Sequence, residues 1–326
     1  MAVRASRRRR RRGDGPGPAV DTTVKLGPLE LPNPVVAASG TFGHGDELAR
    51  LCDPARLGAV TAKSLAPYPW AGSPAPRLHL SPAGMLNAVG LQGPGVEHWI
   101  DHDLPTLRAI GARVIASVWG RTVAEFGTAA AMMRRARDEL VAIEVNVSCP
   151  NLEDRSTMFA HRPDATADAV RAVVDAELGL PVFAKLSPNV TDVREIAAAA
   201  LGAGATGLTL VTTVLGLLVD AETRRSVLGR DGGGLSGPAI KPVALRAVHE
   251  VANAFPDAPI IGTGGVSTGV DAAEMMIVGA SAVGVGTATF HDPRASLRVL
   301  DELVDWCAAH GVTRTADLVA TLEARS

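Results

Sequence analysis

A chain of 326 residues with 47% hydrophobic and 20% charged content can bury one large core, as a single α/β domain or as two smaller ones. No apolar run approaches the roughly 20 residues of a membrane-spanning helix, and an aromatic content of 3% with one Tyr argues against a stacking surface for single-stranded nucleic acid. Three cysteines, none in a C-x-x-C pair, exclude a disulfide framework and a cysteine-ligated iron–sulfur cluster, so a soluble, cytoplasmic protein without a metal site is expected.

The chain opens on Arg4 and an unbroken arginine run from Arg7 to Arg12, followed by "GDGPGP". This segment has no apolar periodicity, so residues 1–20 are expected to form a disordered basic arm and residues 21–326 the folded domain. Without these seven arginines the formal charge of −2 becomes −9, so a basic arm sits on an acidic body. Such an arm can touch nucleic acid or anionic surfaces. The simpler reading is a nonfunctional extension or a start codon placed too far upstream, with no nucleic-acid partner. No apolar stretch follows the charges, as a secretory signal would require.

A short hairpin is expected in "TVKLGPLELPNPV", Thr23 to Val35. Eight β-rich runs follow in order: "PVVAAS", "AVTAKS", "RVIASVW", "VAIEVNVS", "PVFAKLS", "TGLTLVT", "PIIGTG" and "SAVGVG". Helix-like stretches such as "TADAVRAVVDAELG" and "TDVREIAAAALGAGA" separate them; several end at Gly, and Thr191 with Glu195 marks one helix start. The runs are too continuously apolar for a sheet with one wet face, which implies a parallel sheet covered by helices. Eight such units predict a TIM barrel in a single domain.

A barrel of this kind puts its chemistry at the carboxyl ends of its strands. There the chain carries Ser39 and Gly40, Lys63 and Ser64, Asn146 and Cys149, Lys185, and Thr212 with Thr213. The seventh and eighth strands end in "GTGGV" and "GVGTA", where barrels bind phosphate through bare backbone N–H groups. A phosphorylated cofactor is expected there. Lys63 and Lys185 have no neighbouring carboxylate in sequence, so an anionic or electron-rich ligand is their expected partner, with a Schiff base as the alternative.

The fourth strand runs into "EVNVSCPN", Glu144 to Asn151. An isolated cysteine is most often a small buried hydrophobe. Cys149 differs, because Pro150 turns the chain at once and the amides of Asn146 and Asn151 flank the thiol. It reads as a proton-transferring group, whereas Cys52 and Cys307 read as packing residues.

In this order the pieces resemble the class 1 flavin-dependent dihydroorotate dehydrogenases, and within them the NAD-linked subtype whose catalytic chain works with an electron-transfer subunit. The resemblance runs from about Thr23 to Leu322 and rests on "NPVVAASGTFG", "AKSL", "GSPAPR", "GMLNAVGLQGPGVE", "NVSCPN", "KLSPNVTD", "GGLSGPAIKPVAL", "GTGGV" and "GVGTATF". It implies oxidation of dihydroorotate to orotate in pyrimidine synthesis, with FMN across the barrel mouth. The FMN phosphate would rest on Gly264, Gly265, Gly286 and Thr287. Ala38, Ser39, Lys63, Asn146, Lys185 and Gly237 would line the ring and ribityl chain. Lys63, Asn87, Asn146, Asn151, Thr212 and Thr213 would meet the substrate, with the backbone of Val89, Gly90 and Leu91 on its carboxylate. Cys149 would be the base. A homodimer is also implied, as is a partner subunit carrying FAD and an iron–sulfur cluster.

Three departures from that family pattern stand out. Thr212 occupies the place of a substrate-binding Asn, the segment after "SCPN" reads "LEDRSTMFAH" without its usual Gly-Gly, and Gly93 replaces an Asn in "LQGPG". They keep alternatives in view: a dihydropyrimidine dehydrogenase-like or divergent FMN oxidoreductase, and a catalytically degenerate flavoprotein acting as a binding subunit.

Overall fold

In a computed structural model, the described residues are 19–148 and 157–323. The arginine run, Cys149, Pro150, Asn151 and most of the segment after them lie outside this set. Val20, the last residue of the stretch assigned to the arm, packs on the core.

Eight strands close into a parallel barrel: β1 (Val35–Ala37), β2 (Ala59–Thr61), β3 (Val114–Val118), β4 (Leu140–Asn146), β5 (Val182–Leu186), β6 (Gly207–Leu210), β7 (Ile260–Thr263) and β8 (Ala282–Val285). Each matches one of the eight runs read from sequence, β4 starting one residue earlier at Leu140. β1, β3, β5, β6, β7 and β8 are buried along their whole length, because side chains alternate between the barrel interior and the ring of helices. The register fixes which residues point inward. Ser117 lies beside Glu144 and Glu144 beside Phe183, while Asn146 lies beside Lys185 and Lys185 beside Thr209. Along β4 the inward series runs Ala142, Glu144, Asn146, so polarity rises toward the carboxyl rim.

Filling the interior demands close exchanges of volume. A Cβ on Gly207 would come within 2.7 Å of the Phe183 ring and 2.5 Å of the Pro259 carbonyl oxygen, so the missing side chain makes room for the ring. Below the barrel, the buried Asn33 accepts N–H bonds from Val35 and Gly58 and donates to Arg56, tying β1 to β2. The expected hairpin forms from Val24–Leu26 and Leu29–Leu31. Its turn at Gly27, with φ of 64°, packs on Thr206 and Pro259 and closes this end.

Two features differ from the sequence reading. The helix Val193–Gly202 is capped by Asp192, whose carboxylate accepts from the Arg194 N–H, rather than by Thr191. Asp at this position satisfies an orphan amide directly and is favourable at the positive end of the helix dipole. Above the barrel stands a four-stranded antiparallel sheet in the order Val214–Gly216, Gly233–Ser236, Gly84–Asn87, Leu78–Ser81. Its strands come from the loops after β2 and β6 and are short and glycine-rich, which hid them among loop signals. Leu86, Ala88 and Leu228 give this sheet a small core of its own.

Phe183 is fully buried in the lower part of the barrel interior. Phe183→Ala should lower unfolding free energy by about 3–5 kcal/mol, because Gly207 beside it cannot collapse into the cavity. Denaturant unfolding followed by circular dichroism measures the loss.

Candidate active site

Between the antiparallel sheet and the carboxyl rim of the barrel lies a cavity of about 1160 Å³. Every described residue assigned to the site from sequence lines it: Ala38, Ser39, Lys63, Asn87, Val89, Gly90, Leu91, Asn146, Lys185, Thr212, Thr213, Gly237, Gly264, Gly265, Gly286 and Thr287. Cys149 and Asn151 lie outside the described residues.

On one side are the loops after β7 and β8. Gly264 and Gly265 take φ of 128° and 77°, and a Cβ on Gly265 would strike the Lys241 backbone at 2.9 Å. The loop is pinned from below: Lys241 Nζ bonds Asp271 at 2.7 Å and Glu274 at 2.6 Å, and Asp271 accepts from the N–H groups of Ser267 and Thr268. Gly286 is different. An added Cβ there would sit in ordinary contact with Ala38 and Thr41 at 3.8 Å, so the missing side chain serves no close approach within the chain. The N–H groups of Gly264, Gly265, Gly286 and Thr287 donate to no acceptor among the described residues. Such an open, amide-lined cradle fits the phosphate of a flavin mononucleotide.

β4 stands four strands from β8 in the closed barrel, on the opposite wall. There Asn146 Nδ2 donates to Ser64 Oγ at 3.0 Å, and its Oδ1 accepts from the Ser148 N–H at 3.1 Å. Asn87, on the antiparallel sheet, donates to the Gly234 carbonyl at 3.1 Å. Gly90 and Leu91 both take left-handed backbone, φ 73° and 62°. A non-glycine residue there is strained, and the loop is held by Arg77, which donates to Ser73, Ala71 and Gln92. The Gly90 and Leu91 N–H groups donate to no acceptor among the described residues, leaving a small anion-binding corner.

The two lysines separate in character. Burial, then the Arg77 cation, lowers the affinity of Lys63 for its proton, with Glu47 only partly opposing. Lys185 has the counter-charge that sequence proximity did not reveal: Glu144 Oε1 lies 3.8 Å from its Nζ, both side chains nearly enclosed. Glu144 precedes Asn146 by two residues on the same inward face, so strand periodicity could have found it. His44 was also missed. Its Nε2 is buried without a hydrogen-bond partner among the described residues, near the glycine at position 93.

Among the described residues no group of three or more His, Cys, Asp or Glu could hold a metal ion. The cavity therefore offers amides, hydroxyls, backbone N–H groups and the cations of Lys63, Lys185, Arg230 and Arg298.

Comparison with known proteins gives one consistent result. The family model for dihydroorotate dehydrogenase matches residues 22–306. Similar curated proteins are the "Dihydroorotate dehydrogenase B (NAD(+)), catalytic subunit" of Geotalea daltonii, 43% identical over 93% of this chain and 98% of that one, and of Geobacter metallireducens, 42% identical with the same coverage. The protein of that name from Alkaliphilus oremlandii is 43% identical over 92% of this chain and 98% of its own. A crystal structure of DHODH from Eimeria tenella with ferulenol shares the fold, with TM-score 0.76, 23% identity and coverage of 92% and 88%.

Burial and the nearby Lys63 hold the His44 imidazole down from 6.5 to about 4. The unfolded chain takes up a proton near 6.5 that the folded chain refuses until about 4, so stability falls as pH drops through that window. His44→Gln should make the decline of the thermal midpoint between these values shallower than in the wild type.

Proposed function

The chain belongs to the dihydroorotate dehydrogenase family, and from that premise we propose that it oxidises dihydroorotate to orotate with bound FMN, as the catalytic half of a two-subunit enzyme. The observation that carries this reading is that one cavity gathers all of these groups. It joins an amide-lined glycine cradle on one wall to two asparagine amides on the other, with a lysine at the end of β5 and another after β2.

When bound, FMN supplies the acceptor for the hydride that leaves C6 of the substrate. The chain's own residues do the rest. Cys149 takes the proton from C5; its role rests on its place between Asn146 and Asn151 in sequence. A thiol ordinarily titrates near 8.5, so it serves as base once the surrounding amides and cations favour thiolate. Asn87 and Asn146 match the alternating carbonyl and N–H edge of the pyrimidine ring. The N–H groups of Gly90 and Leu91, with Lys63, receive the substrate carboxylate. The antiparallel sheet roofs the cavity against water, which strengthens each of these charge-assisted contacts.

Electrons then leave through another chain. The similar proteins are named as catalytic subunits, which supports a separate electron-transfer partner. FAD and an iron–sulfur cluster on that partner, a homodimer of this chain and a cytoplasmic location complete the proposal. No helix among the described residues is long and apolar enough to cross a membrane.

A second reading is favoured by one residue. Thr212 lines the cavity and donates its N–H to the Leu186 carbonyl at 2.9 Å. It presents a hydroxyl where an amide is expected, which suits a related ring without the carboxylate, such as dihydrouracil.

Purified protein should be yellow with stoichiometric FMN, and anaerobic dihydroorotate should bleach the flavin. Bleaching by dihydrouracil but not dihydroorotate would select the second reading, and a colourless protein that takes up no FMN defeats both. Cys149→Ala should keep FMN while slowing flavin reduction by about 10²–10⁴, the usual contribution of a positioned base; stopped-flow absorbance in single turnover reads this directly.

A further inference from the structure

Inside the barrel, beneath the cavity floor, one carboxylate organises a line of polar groups. Glu144 is 2% exposed, in a position where an ionised group is costly unless each oxygen is compensated. Thr209 Oγ1 donates to its Oε2 at 3.0 Å and Ser117 Oγ to its Oε1 at 3.3 Å, while Lys185 Nζ stands 3.8 Å from Oε1.

Hydrogen-bond arithmetic then sets a direction. A carboxylate only accepts, so Ser117 spends its one hydrogen on Glu144. Ser64 donates to it at 2.9 Å in preference to Ser39 Oγ at 3.3 Å, whose own hydrogen goes to the Ala62 carbonyl. With its own hydrogen spent, Ser64 can only accept from Asn146 Nδ2 at 3.0 Å. The order Asn146 to Ser64 to Ser117 to Glu144 is thus fixed by the acceptor oxygen at its end. Together with the Ser148 N–H on Oδ1, it holds the Nδ2 side of the Asn146 amide toward Ser64.

We propose that Glu144 is a positioning residue that sets both the charge environment of Lys185 and the orientation of the Asn146 amide. It joins the cofactor wall to the substrate wall from below, without touching either ligand. The inference rests on the proposed flavin chemistry, because Lys185 and Asn146 matter through the molecules they face. It also deepens that reading, since one buried group would tune flavin potential and substrate affinity by separable routes.

The routes part under substitution. Glu144→Gln keeps one acceptor oxygen, which serves Ser117 when the amide NH2 faces Thr209 and donates to that hydroxyl, and it removes the negative charge. It should raise the flavin midpoint potential and leave the orotate dissociation constant within about twofold, well under the tenfold step of one strong interaction. Ser117→Ala cuts the line and keeps the charge. It should weaken orotate binding on the order of tenfold, about the worth of a hydrogen bond to a charged group, and leave the potential in place. Spectroelectrochemistry and orotate titration of the flavin spectrum, both on holoenzyme, supply the two readouts.

A thermal-unfolding cycle needs no bound flavin. Lys185→Met strands the Glu144 carboxylate and should lower the unfolding midpoint of the FMN-stripped full-length chain, and adding Glu144→Gln should recover part of the loss. Recovery supports the pairing even where wild-type protein proves not to take up FMN, an outcome that would overturn the functional reading and with it the tuning role. Additive losses in the cycle, or a flavin-loaded Glu144→Gln protein with unchanged potential, overturn the proposal itself.

Discussion

Closing eight parallel strands into a ring forces every inward side chain to share one narrow column, and the site depends on how that column is graded. Helices covering the outside make the outward positions uniformly apolar. Inside, the column begins below with Val36, Ala59, Ala142 and Phe183 and ends above with Lys63, Asn146 and Lys185. The gradient follows from water access, since only the rim can leave a polar group unpaired until a ligand arrives. Glu144 and Lys185 sit where the gradient turns, which is why each needs the other.

The antiparallel sheet makes that rim a chamber. Two loops, after β2 and β6, meet above the barrel by pairing Gly84–Asn87 with Gly233–Ser236. Glycines permit the approach: a Cβ on Gly84 would lie 2.0 Å from the Ser236 carbonyl oxygen, and one on Gly234 the same distance from Thr213 Oγ1. The roof strands thus pack tightly on each other and on the Thr213 side chain at the rim, and Asn87 enters the same space as Asn146.

Most of the barrel was legible in the sequence because its signals are local and repeated: apolar runs of strand length, helices with Gly stops, and polar residues at strand ends. The two glycine loops and both lysines were legible for the same reason. The roof was not, since its short strands carry turn residues and its pairing joins segments about 150 positions apart. Glu144 escaped notice because its partner Lys185 lies on the next strand, reached through a helix, and register alone makes them neighbours. His44 escaped because an unpaired buried nitrogen is a property of surroundings, not of residue type. Asp192 displaced Thr191 as a cap by one position, the ordinary margin for reading a helix end from sequence.

The glycines of the cavity divide into two kinds. Gly265 and Gly237 are required by the protein, since a Cβ at either would press on neighbouring backbone atoms 2.9 Å away in a conformation that side chains rarely adopt. Gly286 is required by nothing in the chain, because a Cβ there would sit in ordinary contact at 3.8 Å and its backbone is ordinary. An alanine there would fold as well as the glycine and would be noticed only by whatever occupies the cradle. That position therefore keeps a historical record the barrel cannot: a lineage that stopped carrying the ligand would be free to fill it by drift, with no penalty in stability to slow the change.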